Sequence, residues 1–351
     1  MKYASIGPIS CHLPARSEAN DVIARERPDW DMDLIYEKTG VWSRHVAADG
    51  ECASDLGVAA AEKLLTEHEI DRGSIDFLLF CTQTPDYPLP TTACLVQHRL
   101  GLPRTIGALD FNLGCSGFVY GLSLADGLIR SGAARRVLLI TAETYSKYIH
   151  PEDRALRPVF GDGAAATLID AADEPSLGQF TFGTDGSGAD ALMVCDGGPY
   201  GRRDGLKPRR RKRWPSTLYM DGPALVQFAL EVVPPLVRQL LEQSRWSREQ
   251  IDFYLVHQAT AFMLDHLRSH LDVDADHLPI GLNNYGNTVS STIPMLMHDL
   301  RADGRMRPGR QSLMIGFGVG FSWAGCTWIE TWPQRQVLPA PAPSTLFRHA
   351  A

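Results

Sequence analysis

Apolar positions along this chain fall into two alternating textures. Some form short unbroken runs of strand length; others recur three and four residues apart, as on one face of a helix. The first texture marks Ile75–Thr82, Thr105–Phe111, Arg136–Ala142 and Ala165–Ile169, after an opening strand at Met1–Gly7. The second marks Cys52–His68, Thr91–Leu100 and Gly117–Ser131. Alternation of strands and helices predicts an α/β sheet with helices on its faces. The second half repeats this order. Helix Pro223–Ser244 leads to strand Ile251–Val256, helices Phe262–Leu271 and Thr288–Ala302, and strand Gln311–Phe317. Within the first of these helices, Pro234-Pro235 is expected to kink or interrupt the turn.

The repetition reaches individual residues. Ile75-Asp76-Phe77-Leu78-Leu79 returns as Ile251-Asp252-Phe253-Tyr254-Leu255, an offset of 176. Asn112-Leu113-Gly114-Cys115-Ser116 lines up with Asn284-Tyr285-Gly286-Asn287-Thr288 at an offset of 172. Self-similarity at a half-chain period predicts duplicated halves about a pseudo-twofold axis. The break falls in the polar stretch Ala171–Pro175, dividing residues 1–172 from 173–334. Residues 335–351, proline-bearing and without a period, are expected to be a poorly ordered tail.

Composition narrows the function classes. Of 351 residues, 44% are hydrophobic and 21% charged, an ordinary globular balance able to bury a core. The net charge of −7 carries no overall signature of nucleic-acid binding. No run approaches the ~20 apolar residues that span a bilayer, and the N-terminus lacks the apolar core of a signal peptide. A cytoplasmic protein without a membrane or nucleic-acid partner is therefore the default expectation. Seven cysteines without CxxC spacing argue against a disulfide framework and against a zinc site. Cys11, Cys52, Cys81, Cys94, Cys195 and Cys326 read as small buried hydrophobes. One segment departs from the average. Between Tyr200 and Trp214 eight Lys and Arg residues, Arg209, Arg210 and Arg211 among them, face the single acid Asp204. Such a run is an exposed loop, read either as a solvated insertion or as a landing site for an anionic partner.

The candidate chemistry centres on the duplicated point. Cys115 sits between a predicted strand and a predicted helix, flanked by Gly114 and Gly117. That strand–turn–helix bend exposes a nucleophile, and the helix N-terminus favours a thiolate. His257 closes a strand in the second half, where ligands of open α/β sheets bind. Asn287 holds the position matching Cys115; its amide can donate to an oxyanion or simply cap a helix. Gly316-Phe317-Gly318-Val319-Gly320-Phe321 lacks the spacing of a phosphate loop and is expected to bring backbone N–H groups to a reacting carbonyl. Phe160-Gly161-Asp162-Gly163-Ala164-Ala165 reads as structural, a close approach between loop and sheet.

With these residues in place, the chain resembles the β-ketoacyl-acyl-carrier-protein synthase III family of the thiolase superfamily. The likeness rests on Leu113-Gly114-Cys115-Ser116-Gly117-Phe118, Phe160-Gly161-Asp162-Gly163-Ala164, His257-Gln258-Ala259, Gly286-Asn287-Thr288 and Phe317-Gly318-Val319-Gly320-Phe321-Ser322-Trp323. It runs from residue 1 to about 330. The resemblance implies a duplicated five-layer αβαβα thiolase fold, a homodimer and a Cys115–His257–Asn287 catalytic set. It also implies a ping-pong reaction on a CoA thioester substrate, with no tightly bound cofactor and no metal. Cys115 takes the acyl group, with the amides of Cys115 and Val319 as oxyanion hole. A malonyl thioester, typically on acyl carrier protein, then decarboxylates and condenses.

The family's adenine-stacking tryptophan falls on Leu34, with Trp30 out of register, and one cofactor arginine falls on Lys38; Arg154 matches the other. The aromatic that closes the acyl pocket from the partner subunit is replaced by Leu89, which implies room for more than acetyl beside Phe317. Basic carrier-docking positions fall on Gln227 and Phe262, and the arginines at 209–211 are candidate substitutes. The competing readings are acyl transfer to an alcohol or amine on the same scaffold, and a noncatalytic scaffold. Retention of both His257 and Asn287 favours condensation.

Overall fold

The computed structural model describes residues 1–194 and 217–333. Arg209, Arg210 and Arg211, the rest of the basic segment, Cys195 and the tail at 335–351 lie outside the described residues. The first half contains β1 (Tyr3–His12), β2 (Arg16–Ala19), α1 (Asn20–Glu26), α2 (Met32–Thr39), β3 (Ser43–Val46), α3 (Ala53–Glu67), β4 (Phe77–Cys81), α4 (Thr92–Arg99), β5 (Gly107–Phe111), α5 (Gly117–Arg130), β6 (Arg136–Glu143) and β7 (Gly163–Ala172). The second contains β8 (Leu177–Thr184), β9 (Leu192–Val194), β10 (Leu218–Met220), α6 (Gly222–Ser244), β11 (Phe253–Val256), α7 (Ala261–Leu271), α8 (Thr292–Ala302), β12 (Gln311–Gly318) and β13 (Ser322–Ile329).

The first sheet has the order β1-β7-β6-β4-β5, and the second has the order β8-β13-β12-β11. Strand senses match position by position. β4 runs parallel to β6 as β11 does to β12, and β7 is antiparallel to β6 and β1 as β13 is to β12 and β8. Among the described residues only β5, parallel to β4, has no counterpart. Helices α3 and α4 cover the outer face of the first sheet, α5 and α8 lie between the sheets, and α6 with α7 covers the second. This is the five-layer αβαβα order of the thiolase fold.

Strands sandwiched in this way are buried on both faces, so they read as apolar runs rather than alternating patterns. Leu78 and Phe80 pack on α3 and α4, while Leu79 faces α5. The middle layer is packed as tightly: a methyl on Gly121 of α5 would lie 2.7 Å from Leu139.

Helix α6 runs unbroken through Pro234-Pro235, against the expected interruption. Interior prolines cost a helix about 3 kcal/mol. Val233, Leu236 and Val237 around them are buried, and such side chains return about 1.5–3 kcal/mol each. By length and composition α6 could cross a membrane. The sequence pattern conceals this because Gln227, Glu231, Arg238, Gln239 and Glu242 punctuate the run. Its apolar side, from Leu225 to Leu240, is buried in the cluster that includes Tyr254, Leu313 and Ile315 of the second sheet.

The cysteines divide more than their composition implied. Cys81 and Cys326 are buried, Cys11 and Cys52 partly so, but Cys94 is exposed on α4. The helix expected at Thr288 opens instead with a short 3-10 turn, Val289–Ser291, and becomes α-helical only at Thr292. Val289 adopts φ +56°, a region that β-branched residues avoid.

Candidate active site

Residues 112–116 form the bend between β5 and α5. The Gly117 N–H donates to the Gly114 carbonyl at 2.8 Å, closing the turn. Glycine at 117 is required by packing, since a Cβ there would lie 2.3 Å from Cys81 Sγ. The end of β12 presses on the bend from the other half. A Cβ on Gly316 would meet the Cys115 carbonyl oxygen at 2.8 Å, and one on Gly318 would meet Cys115 Cβ and Sγ at 2.8 Å. This approach brings the Val319 N–H to Cys115 Sγ, where the Cys115 amide also donates. The glycine-rich segment therefore delivers one backbone N–H, that of Val319, to the sulfur.

His257 directly follows β11, and its N–H donates to the Ile315 carbonyl at 2.8 Å. Its Nδ1 lies 2.8 Å from Thr292 Oγ1, and its ring meets Phe317 edge-on at 5.9 Å. Asn287 is held on three sides. Its N–H donates to Val159 O at 2.8 Å, its carbonyl accepts from Gly161 N–H at 3.1 Å, and Oδ1 accepts from Val289 N–H at 2.9 Å. Asn287 is not the cap of the helix, a place taken by Thr288 and Ser291; its Oδ1 closes a local turn, and Nδ2 is left for the cavity. Gly161 makes this possible, because a Cβ there would lie 2.1 Å from Tyr285 O. Its neighbour Asp162 accepts from Ala47 N–H at 2.7 Å and Ser146 N–H at 2.9 Å, a structural role.

Burial decides the charge state of the pair. It pushes the Cys115 thiol up to about 12, against the two amides that favour the thiolate. It lowers His257 to about 3. At neutral pH both are uncharged, a thiol beside a neutral imidazole. Burial thus works against the expected thiolate at Cys115, which lies two residues ahead of α5.

Cys115, His257, Asn287 and Phe317 all line one cavity of about 870 Å3. Leu192, Met220, Leu225 and Phe228 provide apolar wall. Lys38, Gln227 and Phe262 also line it and are exposed, so they mark its mouth. Arg154 is exposed next to Ala155, which reaches the cavity, but does not itself line it. Leu34 is exposed, whereas Trp30 is buried with Ile23 and Met32 and so stands away from the mouth. Leu89, expected in the acyl pocket, is 77% exposed and absent from the cavity of its own chain.

Sequence reasoning missed the polar groups behind Cys115. Glu143 ends β6 fully buried and accepts from Gln83 N–H, Thr84 Oγ1 and Ser290 Oγ, while Tyr145 donates to Gln83 Oε1 at 2.6 Å. One signal was available: a lone acid closing an otherwise apolar strand.

Comparisons with known proteins show what this chain is similar to. The family pattern for 3-oxoacyl-[acyl-carrier-protein (ACP)] synthase III matches residues 109–186, and its C-terminal counterpart matches 241–329. A crystal structure of a 3-oxoacyl-(acyl-carrier-protein) synthase III superposes with TM-score 0.88 at 45% identity, covering 93% of this chain and 99% of that one. The priming β-ketosynthase of the R1128 polyketide pathway gives 0.84 at 28% identity, covering 95% and 97%. A β-ketoacyl-[acyl-carrier-protein] synthase III of Neisseria meningitidis serogroup C is 32% identical over 331 residues, 92% of this chain and 98% of the relative. On fold, motif order and this extended identity, the chain belongs to the 3-oxoacyl-[acyl-carrier-protein] synthase III family.

Proposed function

We propose that this protein is a condensing enzyme that loads an acyl group from acyl-CoA onto Cys115 and joins it to a malonyl thioester. The observation that carries the reading is the convergence of Cys115, His257 and Asn287 on one cavity, with two backbone amides already aimed at the sulfur. In the first half-reaction the sulfur attacks the thioester carbonyl, the developing oxyanion takes the Cys115 and Val319 N–H groups, and the thiol proton ends on departing CoA. A thiol suits this role as both nucleophile and leaving group. In the second, the malonyl carboxylate leaves as CO2. The resulting enolate oxygen is held by His257 and Asn287 Nδ2, and its carbon attacks the acyl-cysteine carbonyl; the bond to the Cys115 sulfur breaks, the sulfur takes a proton from solvent, and the β-ketoacyl thioester leaves. Neutral donors in a buried site stabilise such a charge without reorganisation.

One relative is named as the priming β-ketosynthase of a polyketide pathway, and a place at the initiation of fatty-acid or polyketide chains is proposed here, with the extender on acyl carrier protein. Lys38 at the mouth and Arg154 beside it are the candidate cations for CoA. The cavity is within the roughly 300–1,000 Å3 range of pockets that enclose drug-sized ligands, which supports an acyl group longer than acetyl. A homodimer is proposed as well. Among the described residues the outer edge of β5 is unpaired, and Leu109 on it, Leu124 on α5 and Phe182 on β8 are all exposed. Leu89 of one subunit would then reach the other's pocket.

The test is intact mass after incubation with a panel of acyl-CoAs, with Cys115→Ala as control. An acyl adduct lost in the variant establishes the loaded nucleophile and its preferred chain. A folded protein that gains no mass from any acyl-CoA rejects the CoA-primed reading. Release of CO2 from malonyl thioester separates condensation from acyl transfer to an alcohol or amine.

A further inference from the structure

We propose that Glu143 is a positioning residue for this reaction: its buried carboxyl ties the loop beneath Cys115 to the turn that carries Asn287, and its charge state sets how readily the Cys115 thiol is deprotonated. The inference rests on the reading of Cys115 as nucleophile.

Both oxygens of Glu143 accept from the Gln83 N–H, at 3.2 and 3.1 Å. Thr84 Oγ1 donates at 3.1 Å, and Ser290 Oγ donates at 3.1 Å from the other half of the chain. The two sides of this bridge lead to different parts of the site. Gln83 Oε1 lies against the bend, since a Cβ on Gly114 would meet it at 2.4 Å, and it also takes the Tyr145 hydroxyl. Ser290 belongs to the 3-10 turn whose Val289 N–H fixes Asn287 Oδ1. One carboxyl therefore holds both the residue before the nucleophile and the turn that orients the enolate donor. Such a link between halves keeps two half-reactions in one frame.

None of the donors to Glu143 is charged. The titratable groups facing it are Asp162 at the start of β7, Cys81 at the end of β4, Cys115, and Tyr145 and Tyr148 after β6. Every one of them is neutral or negative when it titrates, so none offsets a charge on Glu143. Burial accordingly raises its carboxyl to about 8, against the hydrogen bonds that favour ionisation. Below that pH the group is neutral and adds no charge beside the sulfur. Above it, the carboxylate opposes thiolate formation at Cys115, whose thiol its charge raises. Rising pH thus promotes deprotonation of the thiol directly and resists it through Glu143.

The experiment measures iodoacetamide alkylation of Cys115 by intact mass on the full chain, from about pH 6 to about pH 10. Cys115→Ala corrects for other thiols, Cys94 above all. The wild-type rate should climb with pH and flatten as Glu143 ionises. In Glu143→Gln it should keep climbing, so that from about pH 7 to pH 9.5 the variant gains about tenfold on wild type, one unit of thiol pKa. Ser290→Ala should keep the flattening but move it to higher pH, because the carboxylate has lost a donor. It should also lose CO2 release more than alkylation. Parallel pH profiles for wild type and Glu143→Gln overturn the proposal. If Glu143→Gln does not fold, a break at unchanged pH in Ser290→Ala overturns it as well. Absence of any Cys115-dependent adduct in wild type would instead remove the nucleophile on which both readings stand.

Discussion

Replacing Gly318 by alanine tests the contact on which the nucleophile's geometry depends. The added methyl would sit 2.8 Å from both Cys115 Cβ and Sγ, about 1 Å inside the optimal carbon separation of about 3.5–4.0 Å. Strand β12 cannot readily retreat. Gly318 pairs with Ser322 and Phe317 with Trp323 on β13, while Gly316 already abuts the Cys115 carbonyl. The yielding group is therefore the Cys115 side chain, whose Cβ must shift and whose sulfur must turn away from the Val319 N–H. Overpacking of this kind costs about 1–3 kcal/mol of stability, roughly 2–8 °C in melting temperature. The larger effect should be kinetic: losing an oxyanion donor lowers such reactions by about 100-fold or more. Stopped-time intact mass with saturating acyl-CoA measures loading, and circular dichroism checks the fold. A folded variant that loads within about threefold of wild type would refute the argument, because a 100-fold loss is what displacing one donor demands.

Asn287→Ala should still accept an acyl group at Cys115, yet release CO2 from malonyl thioester about 100-fold more slowly, since only the second oxyanion loses a donor. Equal losses in both half-reactions, followed by mass and by CO2 capture, would contradict that division of labour. Arg301→Ala should destabilise the protein by about 3–5 kcal/mol in urea unfolding. It strips a bidentate partner from Glu330, which is 1% exposed, and a donor at 2.7 Å from the Gly7 carbonyl. Asp221→Ala removes the side chain that accepts from Ala224 N–H at the start of α6 and should cost about 1 kcal/mol by the same measurement.

Much of this was legible before any coordinates. Strands β4, β6, β11 and β12 lie within two residues of their apolar runs, because burial on both faces leaves no polar positions to blur the signal. Cys115 and Asn287 were picked out through the duplicated elbow and its glycines and His257 through its strand end, and all three line one cavity. Short elements were not. β2, α1, α2 and β3 fill residues 16–46 with few buried side chains, and β8 carries Gln179, Thr181 and Thr184 among its apolar residues. The continuity of α6 depends on burial at 233–237, which no local rule for proline registers. The state of the thiol was misread for a related reason. A helix N-terminus is visible in sequence, whereas the depth at which it is buried depends on β12, some two hundred positions away. The role of Glu143 was hidden likewise, since its partner Ser290 comes from the opposite half.

That the bend at Cys115 is shaped by Gly316 and Gly318 bears on how the molecule comes to life after synthesis. The nucleophile, the ring and the amide come from residues 115, 257 and 287, and the backbone that braces the sulfur comes from 316–319. Closing loops of this length delays such contacts relative to local ones. During refolding, helical signal and the first sheet should return ahead of reactivity at Cys115. A nascent chain released before β12 would carry its cysteine with neither the glycine wall nor the Val319 amide. The duplicated architecture thus withholds a competent thiol until β12, near the far end of the second half, is in place.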